Sequence, residues 1–206
     1  MIKTFNYTCL FLLMFCASLT YAQDELLFLN GKELKGEILN ITNYEITFKD
    51  LKNKEIVIDN FRVFSYHNDK KETLTYKYDT LEGNFLKEQD MRMFVYGERD
   101  AYKSYHSRFS NGLGFAFGGV AGYFMHKEQG FIYSAAPLIY TTITLPFSTS
   151  VKQKRLTDLQ YLKDDEYLRG HERVARSKRT QNALLSSVLG LGSGFLVSFL
   201  VNGKSN

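Results

Sequence analysis

The sequence has 206 residues, and its 26 lysines and arginines against 22 acidic residues give a formal net charge of only +4. This mild charge does not favour nucleic-acid binding, which needs a concentrated basic surface. Both cysteines, Cys9 and Cys16, lie within the first 22 residues. Thiol catalysis, disulfides and cysteine-based metal sites are therefore excluded for the rest of the chain.

Residues 1–22 have the pattern of a secretory signal peptide. Lys3 precedes an uncharged apolar run from Tyr7 to Ala17, and Ala22 ends a stretch suited to signal-peptidase cleavage. The apolar run is shorter than the roughly 20 residues that a membrane-spanning helix needs. We therefore expect cleavage after Ala22, and export of the protein to a bacterial cell envelope.

Residues 23–80 show the alternation of a half-buried sheet. Leu34, Gly36 and Ile38 alternate with charged residues, and the turn signals Asn30-Gly31 and Lys52-Asn53-Lys54 separate short apolar runs. We predict five short antiparallel strands that curl into a small β-barrel-like module. The fold class predicted for the whole chain is α+β, with this module followed by amphipathic and transmembrane helices.

Three short motifs resemble the opening of SH3-like or Sm-like small barrels. These motifs are Asn30-Gly31-Lys32, Gly36-Glu37-Ile38 and Ile46-Thr47-Phe48. The resemblance covers only this module, and it implies a binding or scaffolding role with no associated reaction.

From residue 88 the apolar residues change to helical spacing. We predict an amphipathic helix over 88–109, and then an apolar helical segment or hairpin in the membrane over 110–151. A basic polar segment that includes a helix follows over 152–181. Residues 182–201 hold no charge over 20 positions, which matches a bilayer-spanning helix.

Small residues recur every four positions in two of the apolar segments. Such stripes let helix backbones approach closely in lipid, where hydrophobicity does not drive association. We predict that they pack helices together, either within one chain or between copies. The candidate helix-packing residues are Gly114, Gly118, Gly122, Ser186, Gly190 and Gly194.

An internal echo accompanies these stripes. Glu98-Arg99-Asp100-Ala101 and Glu172-Arg173-Val174-Ala175 share the pattern Glu-Arg-x-Ala, and each precedes an apolar segment rich in small residues. We interpret the echo as a repeat of two units, each an amphipathic helix leading into a membrane helix.

A basic cluster precedes the last apolar segment, formed by Arg173, Arg176, Lys178 and Arg179. It is predicted to lie at the membrane interface, as a lipid-headgroup patch or as a solvated flank. Its side of the membrane stays open. A hairpin over 110–151 places it on the side of residues 23–80, whereas a single crossing places it on the other side, as the positive-inside rule favours.

No residue pattern predicts an active site. The four histidines are scattered, and the consecutive acids Asp164, Asp165 and Glu166 are better explained as a helix start. We therefore expect no catalytic residue, cofactor or metal.

The whole exported part resembles a group of uncharacterised exported bacterial membrane proteins. The motifs that carry this resemblance are Arg62-Val63-Phe64-Ser65, Asp79-Thr80-Leu81-Glu82-Gly83-Asn84, Met91-Arg92, Gly97-Glu98-Arg99-Asp100-Ala101 and Val174-Ala175-Arg176-Ser177-Lys178-Arg179. The resemblance implies no activity.

The sequence thus favours a non-enzymatic, membrane-anchored envelope protein. Its periplasmic β module would bind or scaffold a partner, and its glycine-striped helices would self-associate. The expected partners are membrane lipids and a second copy or another envelope protein, with no nucleic acid, and the inner membrane is favoured over the outer. The alternatives are a small oligomeric pore or transport accessory protein, and an envelope hydrolase.

Overall fold

The computed structural model of the chain describes residues 23–68, 71–147, 149, 151 and 158–203. The predicted signal peptide, and residues 152–157 of the predicted basic segment, lie outside this part of the chain. The described residues form two compact units. One holds the β-sheet up to Leu27 and from Glu33 to Tyr76, and the other holds residues 28–32 and the chain from Lys77 onward.

The first unit is a six-stranded sheet with the strand order β4-β3-β2-β1-β5-β6. Antiparallel pairing joins β1 to β2, β2 to β3, β3 to β4 and β5 to β6. Its core is made of fully buried apolar side chains, among them Leu26, Ile46, Phe48, Val63 and Phe64. The strands are β1 (Asp24–Phe28), β2 (Glu33–Ile41), β3 (Glu45–Asp50), β4 (Glu55–Asp59), β5 (Val63–Asn68) and β6 (Lys71–Leu74).

Both predicted turns form, and each uses a single residue with positive φ. Gly31 has a φ of 70° and donates its N–H to the Phe28 carbonyl, and Asn53 has a φ of 60° and donates likewise to Asp50. Each hairpin is therefore a three-residue loop that ends in a left-handed residue. Asp50 Oδ1 also accepts the N–H groups of Lys52 and Lys54, at 2.7 and 2.9 Å.

Of the predicted barrel-like module, the antiparallel sheet is confirmed. The curling into a barrel is not, because the sheet observed in the described residues is not closed. The strand order leaves β4 and β6 as its two edges. Six strands form where five were predicted, and β6, with only four residues, offers little to pair with β4. A β-bulge between Ile38 and Asn40 shifts the register of β2 against β3.

The second unit is helical. Its helices are α1 (Glu88–Ser104), α2 (Arg108–Lys127), α3 (Ala136–Thr144) and α4 (Asp165–Asn202), with short 3₁₀ turns at Phe131–Ala135 and Leu159–Lys163. The predicted amphipathic helix over 88–109 is therefore shorter, because an extended Tyr105 separates α1 from α2. The helix of the predicted basic segment runs straight on into the predicted transmembrane helix over 182–201, and both belong to α4.

Helix α4 begins at a side-chain cap. Asp164 Oδ1 accepts the backbone N–H groups of Glu166 and Tyr167, at 3.0 and 3.1 Å. This cap satisfies two of the free N–H groups of the first turn, which explains why the acidic run Asp164–Glu166 opens the helix.

Helices α2 and α4 run in the same direction, and the chain between them runs back. Gly114 lies against Ser186 and Gly122 against Leu191, so the residue numbers rise together along the contact. Tyr133 stacks on Phe124 near the end of α2, whereas Tyr140 donates a 2.5 Å hydrogen bond to the Ser110 carbonyl near its start. The chain of the second unit therefore runs along the bundle three times: forward in α2, back in residues 131–147, and forward again in the second half of α4.

One helix in the described part of the chain, α4, is long and apolar enough to cross a membrane. Its most apolar 18-residue window has a mean hydropathy of 2.0, and only 22% of that window is buried. Most of this window is therefore exposed, which is compatible with a membrane-spanning helix.

Candidate functional site

Glycines bring the backbones of α2 and α4 into direct contact. A Cβ atom built on Gly118 would overlap the Ser187 carbonyl, and one on Gly122 would overlap the Leu191 carbonyl. From the other side, Gly190 lies against the Phe115 carbonyl and Gly194 against the Gly119 carbonyl. No larger residue fits at these four glycines without moving a helix.

The structure places all six predicted helix-packing residues at or beside this contact. Ser186 and Gly194 are partly buried and the other four are buried, and the Ser186 Oγ lies 2.5 Å from the Cβ position of Gly114. The neighbouring Ser187 is fully buried and donates to the Ala183 carbonyl at 2.8 Å. The stripe pattern in the sequence missed Ser187 and Gly119, because both lie beside the four-residue spacing.

The large apolar side chains of this bundle point outward. Small or polar residues such as Gly118, Ser187, Ser198 and Thr144 are buried, whereas leucine, isoleucine and phenylalanine cover the surface. This distribution inverts the usual arrangement in a soluble protein, where the large apolar side chains lie inside. The side chains that are about half exposed or more are Leu113, Phe115, Val120, Leu138, Ile139, Ile143, Leu185, Leu189, Leu196 and Leu200.

At the end of the bundle where α2 begins, α1 crosses the first half of α4 at a second pair of glycines. A Cβ on Gly97 would overlap the Tyr167 carbonyl, and a Cβ on Gly170 would overlap the Phe94 carbonyl. The two contacts are reciprocal, since each glycine lies against the carbonyl of the residue three positions before the other glycine. Phe94 and Tyr167 are 73 residues apart, as are Gly97 and Gly170. This spacing is close to that of the echo in the sequence, although the repeat itself stays a prediction.

The α1–α4 crossing encloses charged side chains that the sequence pattern did not single out as a site. Glu98, Asp100 and His171 are each only 2% exposed. Tyr167 donates a 2.8 Å hydrogen bond to Asp100 Oδ2, and Arg99 forms an ion pair with Asp100 Oδ1 at 3.3 Å. A buried carboxylate needs such partners, so this network holds α1 in register with α4.

Two of the buried groups have altered acidity. Burial raises the pKa of Glu98 to about 7 from 4.5, against the opposing effect of the nearby Arg173 guanidinium. Burial lowers the pKa of His171 below 6.5, although the charge of Asp100 works in the other direction. Glu98 Oε2 and His171 Nδ1 are both buried without a hydrogen-bond partner in the described residues.

The four predicted membrane-interface cations all have partners within the chain. Arg173 pairs with Glu98 Oε1 at 3.2 Å, and Arg176 pairs with Glu172 at 2.7 Å. Lys178 donates to the Tyr102 carbonyl at 2.6 Å, and Arg179 donates to the Phe147 carbonyl. Arg173 and Lys178 join α4 to α1, and Arg179 joins it to Phe147, whereas the Arg176 pair lies within α4. The predicted role as a flank that fixes the helix end did not include these contacts with other parts of the chain.

A small polar cluster lies at the opposite end of the bundle. His126 Nδ1 is 3.1 Å from the buried Ser198 hydroxyl, which also accepts a 3.0 Å bond from the Asn202 amide. The His126 ring packs edge-on against Phe195 and Phe199. A shallow groove beside this cluster is lined by Lys127, Gln129 and Phe131, among others.

The described residues contain no group of three or more histidine, cysteine, aspartate or glutamate side chains placed to hold a metal ion. Comparison of the chain with protein-family models, curated proteins and solved structures finds no match. The geometry of the two helix contacts is therefore the basis for a functional proposal.

Proposed function

We propose that this chain is a non-enzymatic, membrane-anchored protein of the cell envelope. Three passes, made by α2, residues 131–147 and the second half of α4, would lie in the membrane. The β-sheet unit and the paired α1 and first half of α4 would lie on one side, where the sheet binds or scaffolds a partner.

The observation that carries this proposal is the outward-facing apolar surface of a bundle whose interior is made of glycine and serine. In water such a surface would be covered by another molecule or would aggregate, whereas in lipid it needs no further cover. Helix α2 has 20 residues, and at 1.5 Å per residue its length of about 30 Å equals the thickness of the hydrocarbon core of a bilayer. It is less apolar than the second half of α4, so its place in the membrane rests on its contact with α4.

The same geometry favours one of the two topologies that the sequence left open. Lys178 contacts the end of α1, and Arg173 contacts Glu98. The basic cluster therefore lies beside α1, on the side where the chain enters α2. This position supports a hairpin of α2 and residues 131–147, with the C-terminal end of α4 on the opposite side.

A pore or transport role has less support than an anchor. The backbones of α2 and α4 meet at Gly118 and Gly190, which leaves no lumen between these two helices. Ionisable residues, which usually mark transport pathways, lie at the ends of the bundle, as Arg179 and His126 do.

The membrane topology can be tested by cysteine labelling of a chain in which Cys9 and Cys16 are replaced by serine. Single cysteines would replace the exposed residues Glu82, Gln181 and Lys127. An impermeant maleimide should label the Glu82 and Gln181 positions from the same side and the Lys127 position from the other. Labelling of Gln181 from the opposite side to Glu82 would mean a single crossing before α4 and would reject the three-pass proposal.

The scaffolding role can be tested at the sheet unit. Tyr44 and Phe61 are 82% and 74% exposed, and they lie close together because Asn60 N–H donates to the Tyr44 carbonyl at 2.7 Å. A photo-crosslinking residue at Phe61 should form one defined adduct in cells, and Tyr44→Ser should weaken it. The same probe at Lys52, in a different hairpin turn, is the control. Equal labelling at both positions would contradict a specific partner.

Self-association is a further part of the proposal, and the glycine stripes are not free to provide it. Those stripes are occupied within one chain, whereas Gly112 and Gly192 have open space around their Cβ positions. A dimer would therefore use the Gly192 face of α4. Crosslinking of the detergent-extracted protein should show a dimer that Gly192→Leu removes, and a strictly monomeric protein would reject this part.

A further inference from the structure

Glu98 lies buried at the α1–α4 crossing, where two parts of the chain cover it. Its backbone N–H lies 3.2 Å from the Cβ position of Gly170, so α4 covers it from one side. Gly31 of the loop 28–32 covers it from another, since a Cβ on Gly31 would overlap Glu98 Cβ. The Gly31 φ of 70° is a conformation that residues other than glycine rarely adopt. Glycine is therefore required both for this backbone conformation and for the close approach to Glu98.

The carboxyl group of Glu98 is incompletely satisfied in this position. Its Oε1 faces Arg173, whose own side chain is 67% exposed and therefore largely hydrated. Its Oε2 is buried without a hydrogen-bond partner in the described residues. A buried carboxylate anion with one lone partner is costly, whereas the protonated acid is much less so.

The other charged groups around Glu98 are engaged elsewhere. On α1, Arg99 pairs with Asp100. On α4, Glu172 pairs with Arg176, and His171 is buried beside Asp100. From the loop, the Lys32 ammonium lies over the Tyr102 ring, 5.8 Å from its centre. Arg173 is thus the group that sets the charge balance at Glu98.

We propose that Glu98 is a protonation switch, which holds the loop 28–32 and α1 tightly against each other and α4 while its carboxyl is protonated and loosens them when it ionises. The raised pKa of about 7 places the change near neutral pH. The folded pKa exceeds the ordinary value of 4.5, so the stabilisation is complete below that value and is lost as the pH rises through 7.

The ionisation can be observed directly in the full chain reconstituted in lipid. Infrared spectra recorded from about pH 5 to about pH 9 should show a protonated carboxylic-acid band that disappears with a midpoint near 7. Glu98→Gln should abolish that band. Removing the countercharge with Arg173→Gln should move the midpoint upward, because the anion then has less support. Absence of the band at low pH, or its persistence in Glu98→Gln, overturns the proposal.

The loosening is measured separately by hydrogen–deuterium exchange of peptides that cover the loop 28–32 and the middle of α1. After correction for intrinsic exchange, opening in the wild type relative to Glu98→Gln should rise about tenfold between about pH 6 and pH 8. Glu172→Gln, at the exposed glutamate that occupies the matching place in the echo, is the control and should behave like the wild type. An equal pH response in wild type and Glu98→Gln overturns the switch.

Gly31→Ala should disturb the contact between the loop 28–32 and Glu98 at every pH. The variant therefore separates loss of this contact from the pH response. In this variant the loop should exchange quickly throughout the range. Slow, wild-type-like exchange in Gly31→Ala would show that the loop does not rest on Glu98, and would also overturn the proposal. These readouts do not depend on the number of membrane crossings or on a partner of the sheet.

Discussion

Gly118 of α2 lies directly against the backbone carbonyl of Ser187 in α4, with no side chain between them. Helices α2 and α4 run parallel at this contact. The pairing of α1 with the first half of α4 leads into it. Because backbone atoms meet at this point, the helix separation is fixed by the absence of side chains rather than by their interlocking.

Replacing Gly118 with leucine should destabilise the bundle by about 3 kcal/mol or more, because the side chain would have to enter the space of the Ser187 backbone. Unfolding in mixed detergent micelles, followed by circular dichroism, measures the change. Gly112→Leu, in the same helix, is the matched control, since nothing lies within 4 Å of that Cβ position. Equal losses in both variants would mean that α2 and α4 do not pack as described.

Tyr167→Phe should weaken the α1–α4 crossing by about 1 to 3 kcal/mol, because it removes the hydroxyl that donates to the buried Asp100 carboxylate. Asp100→Asn in the same background should recover part of the loss, since an amide is less costly to bury than a carboxylate that has lost a hydrogen-bond donor. A double-mutant cycle of the two positions measures their coupling. Additive effects would place the two groups out of contact.

Acid should also loosen this crossing through His171. Burial holds its pKa below 6.5, so its contribution to stability is complete above that value and is lost as the pH falls through the lowered pKa. His171→Gln should flatten the acidic side of the stability profile, measured by thermal unfolding. His106→Gln, at an exposed histidine, should leave the profile unchanged. If His171→Gln loses stability in acid just as the wild type does, groups other than His171 cause that loss.

Lys178→Met should cost about 1 kcal/mol and increase exchange at the end of α1, because Lys178 donates to the carbonyls of Ala101 and Tyr102. Arg176→Met removes only an exposed pair with Glu172 and should cost no more than about 0.5 kcal/mol. Amide exchange of the last turn of α1 separates the two variants. Protection that is unchanged in Lys178→Met would show that the lysine does not cap this helix.

The alternation of apolar residues predicted the antiparallel sheet well, because period-two burial depends only on neighbouring residues. It could not predict the open sheet, since closure depends on whether β4 and β6 meet, and these strands are not neighbours in the chain. Helix α1 covers most of the segment 88–109 that was predicted as an amphipathic helix, and it ends at Ser104. Asp100 lies among the charged residues between the apolar positions of that segment, yet both it and Glu98 are buried, because Gly97 allows α4 to pass directly over them.

The sequence alone determined the α+β class, the two turn positions, the helix start at Asp164 and the apolar character of α4. Each of these follows from local preferences or from a run of adjacent residues. Only the tertiary structure decided that the two small-residue stripes pair within one chain, that the helices run parallel, and that Arg173 pairs with a buried Glu98 75 positions earlier in the chain. Such contacts join residues that are distant in sequence, and their energies depend on burial, which no local pattern records.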